Sequence, residues 1–254
     1  MRAGTACDDR TMTELATWTV TARNLPEHAR NPIHTDAGAQ AAGFPRALVA
    51  GVTTYAYLCH PPMAAWGLDW VANGGGEVRF RRPVFDGDTL RCTPTGTTDS
   101  MGARIIIEAR TDEPDQPRAV FAVRRHGEAL EEMRAGEELE SFAVVLDGDL
   151  GADYAGRAGD DLGLCERHGV VHPGVWPALG NQIMHTQLVR GAWIHTRSIV
   201  RHHSLAPAGA TAEVRSRVVR RFTAHGERAV IDVHIAVDSA VVASMEHEAI
   251  IELP

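Results

Sequence analysis

Apolar residues along the chain keep helical spacing in two places and strand alternation in many others. Val52, Tyr55, Ala56 and Cys59 recur at i, i+3, i+4 and i+7, which marks one face of a helix. Pro61-Pro62 is expected to stop it, because proline removes the backbone donor a helix needs. Strands are predicted over 77–82, 89–97, 103–111 and 118–125, with turns at Asp86-Gly87-Asp88 and Ser100-Met101-Gly102. A second helix is predicted over about 174–188, where Val175, Leu179 and Ile183 lie four apart and Pro177 falls near the first turn. Four more strands follow at 193–202, 212–223, 229–237 and 241–252. Within them Ile231, Val233, Ile235 and Val237 alternate with Asp232 and His234, a half-buried antiparallel pattern. Stretches 15–22 and 141–146 read as an opening strand for each set.

The two sets are copies. Val49-Ala50-Gly51-Val52 answers to His172-Pro173-Gly174-Val175, and Phe85-Asp86-Gly87-Asp88-Thr89 to Pro207-Ala208-Gly209-Ala210-Thr211. Gly102 before Ile105-Ile106-Ile107 answers to Gly226 before Val230-Ile231, and Ala119-Val120-Phe121 to Val241-Val242-Ala243. The anchors are collinear. The chain therefore reads as an α+β fold: a unit over 1–127, a unit over 140–254, and a solvated acidic connector over 128–139 rich in glutamate. Each unit would be a long helix wrapped by an antiparallel sheet, with the two sheets paired.

Composition narrows the function. A chain of 254 residues with 44% hydrophobic content has ample core, and no apolar run approaches the roughly 20 residues that span a bilayer. Arg2, Asp8, Asp9 and Arg10 leave no apolar segment in the first ten residues, so no signal peptide is expected. Cys7, Cys59, Cys92 and Cys165 show no CxxC spacing, which suits reduced thiols and a cytoplasmic location. The net charge of −8 argues against nucleic-acid binding. Arg215, Arg217, Arg220 and Arg221 read as a strand face, whereas Arg81 and Arg82 could meet phosphates. No Gly-x-Gly-x-x-Gly, P-loop or Gly-x-Ser-x-Gly occurs, so no cofactor is expected. His168 and His172, and His195, His202 and His203, lack the supporting ligands of a metal site, and none is expected.

One string carries chemistry. Asn31-Pro32-Ile33-His34, followed by Gly51 at a helix start, resembles the Gly-Asp-x-Asn-Pro-x-His signature of the MaoC-like (R)-specific enoyl-CoA hydratases and dehydratases, over roughly residues 18–92. The resemblance implies a double hot-dog fold and an acyl-thioester substrate carried by coenzyme A or acyl carrier protein. It makes His34 the residue that handles water and the Gly51 amide the donor to the thioester oxygen. Asn31, Cys59 and Asn181 would lie along the substrate, although Asn31 also suits a loop-shaping role and Cys59 a space-filling one. Here His28-Ala29 replaces the Gly-Asp pair. A slip of the loop could offer Glu27 instead, Glu77 lies near the helix end, and Asn181 or His185 could project from the second helix. Asp36 is read as the N-cap of a short helix over 37–42. Tyr154 and Arg157 fall opposite Asn31 and His34, so one site per chain is expected.

The leading expectation is a hydro-lyase that hydrates 2-enoyl thioesters or dehydrates 3-hydroxyacyl ones. The alternatives are a thioesterase using Asp36 or Glu77, and a non-catalytic thioester-binding module. A homodimer is left open.

Overall fold

The computed structural model describes residues 14–98, 104–113 and 116–253; the amino-terminal ten residues and the turn expected at Ser100-Met101-Gly102 lie outside them. The first unit runs β1 (Trp18–Thr21), α1 (Asp36–Ala41), α2 (Gly51–Asn73), β2 (Gly75–Phe80), β3 (Thr89–Thr98), β4 (Arg104–Arg110) and β5 (Ala119–Arg124). After the connector come β6 (Glu137–Glu138), β7 (Phe142–Val145), α3 (Tyr154–Ala158), α4 (Leu164–His168), α5 (Val175–Ile183) and β8 (Ile194–His202). The chain ends with β9 (Thr211–Thr223), β10 (Glu227–Val237) and β11 (Ala240–Glu252).

All eleven strands form one antiparallel sheet in the order β1-β3-β4-β5-β2-β8-β11-β10-β9-β6, with β7 also on β9. Leaving β6 aside, β1-β3-β4-β5-β2 and β7-β9-β10-β11-β8 are the same five-strand arrangement, joined where β2 pairs β8 from Gly75↔Arg201 to Arg79↔Arg197. Equivalent loops close alike: Leu48 bridges Phe85 as Val170 bridges Pro207, and the Val49 amide donates to Val84 as that of Val171 does to Ala206. Each half wraps its own helix. This is the double hot-dog architecture.

Gly75 and Gly76 let the seam close. Their φ values are 143° and 152°, and a Cβ on either would lie 2.2–2.3 Å from the carbonyl oxygen of Val200 or Ala122. No other residue fits there.

Two expectations are corrected. The first helix does not stop at Pro61-Pro62 but continues to Asn73, broken only at Gly67 (φ 57°, ψ −144°). The prolines deprive the Tyr57 and Leu58 carbonyls of donors. However, every residue from Val52 to Met63 is buried, so packing on all sides holds the segment helical. The acidic connector is not simply solvated. Glu137 and Glu138 form β6 against β9 and pair with Arg221 and Arg217, while Glu128 pairs with Arg201. The basic strand face is thereby largely neutralised by the chain's own acids. Among the described residues no helix is long and apolar enough to cross a membrane.

Candidate active site

Asn31 ends one turn of 3-10 helix (Pro26–Arg30) and caps the next (Pro32–His34), its Oδ1 accepting from the Ile33 amide. Its Nδ2–H donates to the Trp193 carbonyl at 2.9 Å, which ties the loop to the start of β8 in the other unit. Asn31 is buried and its amide is committed to these contacts, so it shapes the loop as well as lining the cavity. Pro32 and the buried Ile33 then fix the direction of His34.

The His34 Nδ1 lies 2.8 Å from the Leu48 carbonyl. A carbonyl only accepts, so Nδ1 carries the hydrogen and Nε2 keeps a lone pair. Burial pushes the His34 pKa below its ordinary value, against the raising effect of that bond. The ring is thus a neutral base.

Two cavities meet at this ring. One, about 540 Å³, is lined by Glu27, His28, Tyr154, His185 and others; the second, about 210 Å³, by Gly51, Thr54, Phe80, Arg81, Arg82 and His195 among others. Asn31, His34, Asn181 and Trp193 line both. The structure therefore brings His34, Gly51, Asn31 and Asn181 together. Asn181 Oδ1, His185 Nδ1 and Trp193 Nε1 are buried polar atoms without a protein partner, as atoms awaiting a ligand or water would be. His185 sits in a single π-turn (Met184–Leu188) that extends α5, a distortion common at functional sites.

Cys59 is not brought there. It is fully buried on α2 inside the core, its thiol pKa raised by burial, and it lines neither cavity. It fills space.

The replaced carboxylate position has a structural answer. Ala29 is exposed, and the 3-10 turn points His28 inward instead. Its Nε2 lies 3.1 Å from Thr53 Oγ1 and 3.4 Å from the Tyr154 hydroxyl, and its ring centroid is 5.9 Å from that of His34. Burial first, then His34 and Arg157, push its pKa down to about 3. Glu27 lines the same cavity but is held by Arg157 at 2.7 Å. Asp36 does not cap α1; Thr35 does, through Oγ1 and the Gly38 amide, while Asp36 accepts from the Ala47 amide. Glu77 sits at the sheet seam in ion pairs with Arg197 and Arg79. Neither acid lines either cavity.

The helix starts of the two units differ. Ala50 offers α2 no side-chain cap, so no side chain takes its first-turn amides. At the equivalent point in the second unit, His172 Nδ1 accepts from the Gly174 amide at 3.0 Å. A Cβ on Gly174 would meet His172 Nδ1, Ala56 and Tyr154 at 3.0–3.1 Å. The Gly174 amide is thus taken by His172, whereas Gly51 has no such side-chain partner and lines the smaller cavity.

Residues 24–113 match the family model described as MaoC like domain. Over that segment the chain is similar to a MaoC-like domain. The matched segment contains the whole NPIH loop, the Gly51 helix and the first strands behind it. Solved structures share the full architecture. A protein of Chloroflexus aurantiacus described as a MaoC domain dehydratase is 13% identical, with a TM-score of 0.62 and 94% and 95% of the two chains covered. A conserved hypothetical protein of Mycobacterium tuberculosis with a double hotdog fold is 15% identical, with a TM-score of 0.64 and coverage of 96% and 97%. A protein of Lactobacillus plantarum described as an oleoyl thioesterase is 11% identical, with a TM-score of 0.53 and coverage of 96% and 98%. No curated protein matches the sequence.

Sequence reasoning missed His28 as the inward residue, Tyr154 and Trp193 as walls, and His195, which it weighed only as a metal ligand. Nothing local marks them, since each reaches the cavity through the turn of a loop or the register of a distant strand. One cluster with metal-like spacing occurs among the described residues, His60, Asp160 and Asp161, outside both cavities. His60 Nε2 there pairs with Asp161 at 2.8 Å.

Proposed function

We propose that the MaoC-like segment makes this chain a hydro-lyase, adding water to 2-enoyl thioesters or removing it from 3-hydroxyacyl thioesters. The carrying observation is that His34, with a free Nε2 lone pair, and the open start of α2 at Gly51 line one cavity. In hydration, His34 Nε2 takes a proton from water as the oxygen bonds to C3 of the enoyl group. The C2–C3 π electrons move onto the thioester oxygen, where the Gly51 amide and the positive end of α2 stabilise the enolate. A proton delivered to C2 completes the addition, and His28 stands beside His34 on the same cavity to share proton handling.

Arg81 and Arg82, exposed at the rim of the smaller cavity, supply guanidinium groups for coenzyme A phosphates. The larger cavity, with Ala178, Leu150 and Val144 on its wall, has room for the acyl chain. A thioesterase reading has less support, because the cavity holding the Gly51 helix start is lined by no carboxylate. The test is loss of conjugated absorbance from crotonyl-CoA and longer enoyl-CoAs. Turnover that His34→Ala removes supports the assignment. Thioester binding without turnover would leave a binding module, and thiol release would favour the thioesterase.

A further inference from the structure

His195, at the start of β8, presses its ring against Gly51. A Cβ on Gly51 would lie 3.2 Å from His195 Nδ1, and Phe80 covers the ring from the side at 4.6 Å. The residue is 6% exposed and lines the smaller cavity, yet its Nδ1 has no hydrogen-bond partner. Its other nitrogen begins a chain: Nε2 is 2.8 Å from Ser198 Oγ, which is 2.9 Å from His247 Nδ1. The two imidazoles stack at 4.2 Å, and Gly180 of α5 leaves room for the second, since a Cβ there would lie 2.9 Å from His247 Nδ1. The far nitrogen, His247 Nε2, is buried and unpartnered too.

The Arg197 backbone also contacts the His195 ring, and hydrogen counting around Ser198 compares three arrangements. Burial keeps both rings neutral, so each carries one hydrogen, and Ser198 carries a third. If Ser198 donates to His247, the His247 hydrogen is stranded on Nε2 in the core. If both rings donate to Ser198, its hydroxyl hydrogen is stranded instead. If Ser198 donates to His195 Nε2 and His247 Nδ1–H donates to Ser198, the one unmatched hydrogen is on His195 Nδ1, at the cavity wall. An orphaned buried donor carries its full desolvation penalty, and only the third arrangement lets a ligand relieve it.

We infer that His195 donates through Nδ1–H to the ligand oxygen beside the Gly51 amide, and that Ser198 and His247 are positioning residues that fix this tautomer. The inference deepens the hydro-lyase reading and rests on it for the identity of the ligand. It gives the enolate oxygen two donors, one from each unit, and explains why the open helix start is paired with a histidine from across the seam.

The full chain, labelled with 15N-histidine, tests this by two-bond 1H–15N correlation at pH 7.5, with His195→Gln supplying the assignment. Expected are a protonated Nδ1 and bare Nε2 on His195, and a shift of that Nδ1 when butyryl-CoA, which cannot be hydrated, is added. Ser198→Ala should let the Nε2–H form of His195 appear and lower kcat with little change in KM. His195→Gln should lower kcat on crotonyl-CoA about 100-fold, the usual loss for one oxyanion donor. A bare Nδ1 in a protein that hydrates crotonyl-CoA, or wild-type kcat in His195→Gln, overturns the inference and leaves the hydro-lyase standing. Absence of both thioester binding and turnover overturns the two together.

Discussion

Acid should destabilise this protein well before its carboxylates titrate. His172, His202 and His247 are each no more than 2% exposed, and burial pushes their pKa values down to about 3, 4 and 3. In the unfolded chain each returns to ~6.5. Between those values the unfolded state binds more protons than the folded one, so stability is fully present above pH 6.5 and falls as pH falls. From pH 7.5 to 5.5 one such ring withdraws about 1.4 kcal/mol, and three withdraw about 4 kcal/mol. His34 and His195 shift the same way and add to it. Against a usual total of about 5–15 kcal/mol the change is large. Glu77 and Asp161, held below their ordinary values, lose their contributions only below about pH 4.5, outside this window. Urea unfolding at the two pH values should show the midpoint dropping by roughly 1–2 M at pH 5.5. His202→Asn, which keeps a donor for the Trp70 carbonyl but cannot titrate, should shrink the pH dependence by about one ring's share. Midpoints that coincide at both pH values would refute the burial argument for all three rings.

His34→Ala should lower kcat/KM for crotonyl-CoA by about 100- to 10,000-fold, read from absorbance; a wild-type rate in the variant removes His34 from the chemistry. Because burial lowers the His34 pKa, the neutral base persists as pH falls through 6.5, and kcat/KM should show no inflection there wherever the protein stays folded. Calorimetric titration with butyryl-CoA should give one site per chain, since His172 caps the second helix start; two equivalent sites would contradict the packed pseudo-site. Glu27→Gln removes the most buried of three charge partners of the half-buried Arg157, Asp149 and Asp153 being the others, and should reduce stability by roughly 1 kcal/mol, with an unchanged urea midpoint counting against that pair.

The sequence by itself determined every strand but β6, the second helix, the repeat and the NPIH loop. Alternation of apolar and polar residues is a local consequence of backbone geometry, and a duplicated fold repeats its turns at constant spacing. The extent of the first helix needed the tertiary structure, because a core closed on every side outweighs what Pro61 and Pro62 remove. Side-chain direction in the loop needed it as well. One 3-10 turn exposes Ala29 and aims His28 at Thr53 and Tyr154, and no periodicity predicts which of two neighbours faces in. The same holds for the connector acids, which find their arginines only once β9 is laid beside them. His195 and Gly51 lie far apart in the chain and touch because β2 and β8 pair in one register. Composition and spacing carry what neighbouring residues do to one another; which distant groups share a cavity is fixed only when the two sheets close along their seam.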